Sequence, residues 1–334
     1  MAIADTQQHL TALHAEFARR GLRGLWQRGG DRGGEKPSEA KTNVWRWTEM
    51  LPILEQSLKL VRLPEDTDQR VIGLTGGGSA LSLAYQLMNP GESVASHRHT
   101  PAQMRFVVEG RGATTTSDGE PMVMEPGDLL VQPNWSWHGT ENLSEGPSIW
   151  LDIQDRNLIN YLGAFLRELW PDNTVQPATR PAEYHRRAFG ALQARAPIER
   201  LPAYRYRWSD TLEALEQLCE ASEPDREGVF EFKNPATGGH TLPTMSVEIQ
   251  VLRPGEVTRC HRRTGTAMVH VIEGEGVSQV GAEELQWNKR DCFVIPPLQW
   301  QAHRNLSSKE RALLFCVSDR PILEALGLYR EENE

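Results

Sequence analysis

At 334 residues the chain is long enough for two domains of ordinary size, and 39% apolar with 24% charged residues marks a globular protein, not a fibrous or disordered one. A net charge of -9 argues against a nucleic-acid partner, which would need a basic field. No run of about 18 apolar residues is present to cross a membrane. The start, MAIADTQQHL, has neither the basic head nor the apolar stretch of a secretory signal, so a cytoplasmic protein is expected.

Residues 8 to 27 carry apolar positions at helical spacing (Leu10, Leu13, Phe17, Leu22, Leu25), followed by a glycine-rich charged loop, RGGDRGGEKPSEAKTN. A second helical pattern, WTEMLPILEQSLKLV, continues despite its proline. From Ile72 to Asp155 short apolar runs alternate with polar residues and are cut by Gly, Pro, Asn and Asp, the grammar of a small antiparallel sandwich or barrel. RNLINYLGAFLRELW, residues 156 to 170, is amphipathic and predicts a helix. A Pro- and Arg-bearing connection follows, with a further helix at DTLEALEQLCEAS, and strand grammar returns from Val229 to Val317. Its basic run, HRRAFGALQARAPIERLPAYRYRW, is spread along a connector in an acidic chain and reads as a solvated or subunit-facing surface. Cys219, Cys260, Cys292 and Cys316 show no CxxC spacing and read as thiols in a reducing compartment.

An internal repeat sets the architecture. Residues 90–112, PGESVASHRHTPAQMRFVVEGRG, align without gaps to residues 254–276, PGEVTRCHRRTGTAMVHVIEGEG, with eleven of 23 positions identical. VQPNWSWHGTEN (131–142) likewise parallels VIPPLQWQAHRN (294–305), placing Pro133 over Pro296, Trp137 over Trp300 and Asn142 over Asn305. The chain therefore carries two copies of one β-domain. The expected division is an amino-terminal helical arm (1–70), a first β-domain (71–155), a helical connector (156–228), a second β-domain (229–320) and a tail (321–334).

Within a strand alternate side chains share a face, so His97 and His99 point the same way, the spacing of two ligands on one metal. His138, at the end of another expected strand, offers a third. Three neutral imidazoles suit a divalent first-row metal. The second copy keeps His261, but Arg263 and Gln301 stand where His99 and His138 stand in the first, and an arginine at a ligand position repels a cation. His270 and His303 do not replace the missing ligands directly. One metal per chain is expected.

Gly91, five residues, His97-x-His99, three residues, Gln103, six residues and Gly110 resemble the first motif of the cupin superfamily, with Gln103 in place of its usual glutamate. Gly127, Pro133, His138 and Asn142 resemble the second, with Trp135 where a glycine is common. Two such units, a three-histidine first site and a degenerate second, resemble the gentisate 1,2-dioxygenase family, which includes enzymes that cleave salicylate, 5-nitrosalicylate and 1-hydroxy-2-naphthoate. The resemblance spans nearly the whole chain, from LRGLW and WRWTEMLPIL through HRHTPAQMRFVVEG and GDLLVQPNWSWH to NPATGGHTLPTM. It implies a mainly β bicupin with an amino-terminal helical arm, ferrous iron on His97, His99 and His138, and a homo-oligomer, often a tetramer. It also implies dioxygen and an aromatic 2-hydroxy acid as substrates, the ring opening between the carboxyl-bearing and hydroxyl-bearing carbons.

By the same resemblance Arg105 meets the substrate carboxylate, which suits a planar guanidinium fork. Gln86 and Asp152 match polar pocket positions of that family, Gln103 and Thr140 depart from it beside the metal and are candidates there, and Trp135 is expected chiefly in barrel packing, with lining of the substrate entrance as the alternative. Thr140 replaces a histidine common in gentisate enzymes, and a site lacking a hydrogen-bond partner discriminates less for the group it would bind. The substrate expected is therefore a 5-substituted salicylate such as 5-nitrosalicylate, with gentisate itself as the alternative. A manganese oxalate decarboxylase would keep the glutamate and usually both metal sites. A non-catalytic bicupin would not need three histidines.

Overall fold

The computed structural model describes residues 41–74, 80–191, 201–221 and 228–334, together with Thr11, Ala15, Glu16 and Arg19, which lie in helix. Most of the expected helix at 8–27 and most of the glycine-rich loop after it fall outside the described residues.

Residues 38–334 are one compact unit built around two β-barrels. The strands of the first half are β1 (Asn43–Trp45), β2 (Val71–Leu74), β3 (Ser82–Met88), β4 (Ser93–His99), β5 (Gln103–Glu109), β6 (Thr114–Ser117), β7 (Glu120–Val123), β8 (Leu129–Gln132), β9 (His138–Glu141), β10 (Ser148–Gln154), β11 (Arg167–Leu169) and β12 (Tyr204–Tyr206). Two sheets, ordered β12-β8-β5-β10-β3-β2 and β11-β4-β9-β6-β7, form the first barrel. The second half supplies β13 (Gly228–Glu231), β14 (Ser246–Leu252), β15 (His261–Arg263), β16 (Ala267–Glu273), β17 (Glu275–Val280), β18 (Glu283–Asn288), β19 (Cys292–Ile295), β20 (Gln301–Asn305), β21 (Ala312–Ser318) and β22 (Glu331–Asn333). These make the sheets β1-β19-β16-β21-β14-β13 and β18-β17-β20-β15-β22 of the second barrel.

The period-two pattern of β5 and β10 explains how apolar-looking strands hold polar chemistry. Met104, Phe106 and Val108, with Leu151 and Ile153, turn outward into a buried cluster shared with Val247, Phe315 and Val317 of the second barrel. Phe106 and Phe315 meet there with ring centroids 4.4 Å apart. Each fully buried side chain of this size contributes about 1.5–3 kcal/mol, so the main core lies between the barrels. The alternate positions, Gln103, Arg105, Trp150, Asp152 and Gln154, turn into the first barrel.

The repeat is visible in detail. Trp135 and Leu298 both adopt positive φ, 61° and 62°, at the same turn of each copy. The Asn142 amide donates to the carbonyls of Met88 and Gly146, and that of Asn305 to Leu252, Arg253 and Glu310. The outermost strands are exchanged. β1 precedes the first barrel yet pairs with β19 of the second, while β12 precedes the second and pairs with β8 of the first. Each is followed by a helix, α1 (Trp47–Leu60) and, in the connector, a helix at Trp208–Ala221. Each helix starts on a barrel aspartate: Trp47 N–H donates to Asp291 at 2.7 Å and Trp208 N–H to Asp128 at 2.8 Å.

Two expectations are corrected. The helix expected over 156–170 stops at Tyr161, after which Gly163 takes φ 66° and the chain re-enters as β11 on the edge of β4. A free strand edge outweighs the helical periodicity there, because ladder hydrogen bonds satisfy backbone groups that an isolated amphipathic turn leaves to water. Residues 321–334, expected as a tail, instead carry β22, which pairs with β15. No helix among the described residues is long and apolar enough to cross a membrane.

Candidate metal centre

β4 delivers His97 and His99 to the barrel interior, and β9 places His138 directly opposite His97 in the antiparallel register. One ligand atom from each of the three imidazoles lies within 4.8 Å of the others, and all three residues are buried. Each Nδ1 faces a carbonyl two residues away: Ala95 for His97 at 2.9 Å, Pro101 for His99 at 2.8 Å, Ser136 for His138 at 3.0 Å. A carbonyl only accepts, so every Nδ1 carries the proton and every Nε2 keeps its lone pair.

Electrostatics agree. Burial, with neighbouring imidazoles and arginines adding to it, holds His97 down to about 3 and His99 to about 4, and drives His138 well below its ordinary value. Neutral imidazoles are the form that binds a metal. The Nε2 of His138 is buried with no hydrogen-bond partner among the described residues. An orphaned lone pair in the interior costs about 1–3 kcal/mol, and a metal ion at this point satisfies it. The set fits a divalent metal.

Around the triad lies a second ring of polar side chains. Arg105 is 1% exposed; its Nε donates to Asp152 Oδ1 at 3.2 Å and its Nη1 to Thr140 at 2.6 Å and Thr115 at 2.9 Å. Asp152 Oδ1 also accepts from Gln103 at 2.9 Å and Trp150 at 3.1 Å. Burial raises the Asp152 carboxyl and lowers the Arg105 guanidinium, and each charge is sustained against that cost by the other. Gln86 sits on β3 beside Trp150, its buried Nε2 without a partner among the described residues.

The sequence-predicted residues thus converge, with one exception. Trp135 lies on the outside of the β4 edge, where Arg98 is sandwiched between its ring (4.5 Å) and that of Trp137 (4.6 Å). Arg98 alternates with His97 and His99 and so faces away from them; Trp135 is a clamp on the strand, not a wall of the site.

Sequence reasoning missed Gln69, whose Nε2 lies 3.0 Å from the Nε2 of His97, and the arginines Arg156 and Arg167. Gln69, Asp152, Gln154, Arg156 and Arg167 line a cavity of about 440 Å³ beside the triad. No motif spacing marks them; the pairing of β11 with β4 brings in Arg167, while Gln69 lies just before β2 and Arg156 just after β10.

In the second barrel the equivalent space is a cavity of about 220 Å³ lined by Glu248, His261, Arg263, Gln301 and His303. Arg263 sits 3.7 Å from Glu248, so a built-in cation with its own carboxylate stands where the first barrel gathers imidazoles. The His303 ring pairs with Ser278 at 2.7 Å. Among the described residues only the first barrel groups metal-binding side chains.

Comparison with known proteins agrees with this division. The cupin domain family matches residues 84–154 and 248–318. A gentisate 1,2-dioxygenase from Streptomyces is 36% identical, covering 96% of this chain and 94% of its own. A 5-aminosalicylate 1,2-dioxygenase from Comamonas is 31% identical over 98% and 91%. The solved salicylate 1,2-dioxygenase of Pseudaminobacter salicylatoxidans superposes with a TM-score of 0.89 at 30% identity, covering 97% of this chain and 98% of that one. A doubled cupin body, three converging imidazoles in the first copy only and relatives matched from end to end together show that the chain belongs to the gentisate 1,2-dioxygenase family of ring-cleaving dioxygenases.

Proposed function

We propose that this enzyme opens the ring of a 2-hydroxybenzoate between its carboxyl-bearing and hydroxyl-bearing carbons, with ferrous iron held by His97, His99 and His138. The observation that carries this reading is the convergence of three proton-free Nε2 atoms beside a buried, fixed arginine. Iron bound there would supply the redox chemistry that lets dioxygen react with the ring. Three neutral ligands leave the metal's charge undiminished, which suits a substrate bound as a dianion.

Arg105, clamped through Nε and Nη1, presents the rest of its fork to the substrate carboxylate. Asp152 receives three donors on Oδ1, which leaves its other oxygen for the proton of the ring hydroxyl. Gln86 offers its unused amide N–H to a substrate oxygen. Gln103 holds Asp152, and Thr140 holds Arg105 where many gentisate enzymes carry a histidine. With that histidine gone, a substituted salicylate such as 5-nitrosalicylate is the reading we favour. Gentisate remains the second reading, favoured by the Streptomyces relative and by salicylate 1,2-dioxygenase adducts with gentisate, a structure 29% identical to this chain. A homo-oligomer belongs to the same proposal.

The test is anaerobic reconstitution with ferrous iron, metal analysis, then oxygen uptake with gentisate, salicylate and 5-nitrosalicylate. About one iron per chain and uptake with a 2-hydroxybenzoate are expected. Manganese in place of iron, or no metal at all, would defeat the proposal. A strong gentisate preference would defeat its substituted-salicylate form.

A further inference from the structure

Arg156 and Arg167 stand out from the other arginines near the site. Arg105 pairs with Asp152, Arg98 with Glu168 and Arg70 with Glu92. Arg156 and Arg167 make no ion pair among the described residues, although Asp68 lines the same cavity. Arg156 rests on the Phe165 ring at 4.8 Å. Arg167 pairs with His99 in the β11–β4 register, and residues opposite one another share a face, so its side chain stands on the imidazole side. Two exposed guanidinium groups line this cavity against one carboxylate, Asp68, that has no ion pair among the described residues, so the lining can still receive an anion.

Under the reading above, Arg105 and the metal already serve the carboxylate and hydroxyl of a 2-hydroxybenzoate. Arg156 and Arg167 are surplus to that task. We infer that the substrate carries a second anionic group on the ring edge away from the metal, a carboxylate received by Arg156 and Arg167, so that the enzyme is specific for a carboxylated 2-hydroxybenzoate. This inference rests on the ring-cleavage reading for the orientation of the substrate. A neutral substituent of similar size would leave both guanidinium groups without a counter-charge.

The full-length enzyme, loaded anaerobically with ferrous iron, is titrated calorimetrically with salicylate, 5-nitrosalicylate, 4-carboxysalicylate and 5-carboxysalicylate, and then assayed for oxygen uptake with each. One carboxysalicylate is expected to bind about tenfold tighter than salicylate, the scale of a charge-assisted pair. Arg156→Gln and Arg167→Gln should each lower that ratio about tenfold, and Arg167→Lys should retain most of it. The inference is overturned if both carboxysalicylates bind more weakly than salicylate, if 5-nitrosalicylate binds as well as they do, or if the glutamine variants weaken all four compounds equally. Absence of oxygen uptake with every compound would instead sink the ring-cleavage reading, while the calorimetric ratios still decide the role of the two arginines.

Discussion

Replacing Asp152 with asparagine tests the buried pair behind the metal centre. The substitution keeps the shape and one accepting oxygen for Gln103, Trp150 and Arg105, and removes only the charge. At the observed 3.2 Å and an effective dielectric of about 20, the Coulomb attraction lost is about 5 kcal/mol. Breaking a buried pair from one side typically costs about 3–5 kcal/mol, because the remaining guanidinium has no water to turn to. For a chain of this size about 2 °C of Tm is lost per kcal/mol, so Asp152→Asn should melt about 6–10 °C lower. Differential scanning calorimetry of the iron-free protein, with Arg105→Met as companion, measures this. Arg105→Met should be the milder lesion, since the stranded Asp152 keeps the Gln103 and Trp150 donors and, raised by burial, can take up a proton, which a guanidinium cannot shed. A melting point for Asp152→Asn within about 2 °C of the wild type would refute the assignment of Asp152 as the ion that keeps Arg105 charged.

Four further outcomes are expected. His138→Ala should drop bound iron, read by elemental analysis, from about one per chain to nearly none, because two imidazoles rarely hold a ferrous ion where three are needed. His97 and His99 titrate in the folded chain at about 3 and about 4 rather than at 6.5, so between those values the unfolded chain binds more protons and iron-free stability must fall as pH falls through that window. Zinc affinity of the folded protein should meanwhile stay nearly level from pH 7.5 to 5.5, measured by competition with a chelator; a steep loss would mean that the imidazoles are exposed. Gly139→Ala would bring a methyl group within 2.9 Å of the Ser96 backbone, forcing β9 away from β4. It should weaken metal binding and lower Tm together, and either effect alone would count against the close approach of the two strands.

What the sequence made legible was what lies in consecutive residues. The HxH spacing, the motif around His138 and the doubled segment require only the period of a strand, and the helices at 47–60 and 208–221 only that of a helix. Arg105 and Asp152 were legible through family likeness, yet their mutual contact comes from the register of β10 against β5. Gln69, Arg156 and Arg167 were illegible because no motif holds them: Arg167 reaches the triad through the pairing of β11 with β4, and Gln69 and Arg156 only through the placement of the ends of β2 and β10. The helix expected through 170 failed for the same reason, since an unpaired edge elsewhere in the chain outweighed local periodicity. Trp135 packs on Arg98 rather than at the substrate entrance, its turn carrying positive φ.

The crossed placement of β1 and β12 bears on how such a protein can change over time. Each copy borrows its border from the stretch preceding its twin, so excising either half would strip the survivor of an edge as well as of its neighbour. A gene carrying this design can let one half do without the imidazoles, as Arg263 and Gln301 show here, but it cannot discard that half. The copy without the triad stays because the copy that holds it is stitched through it.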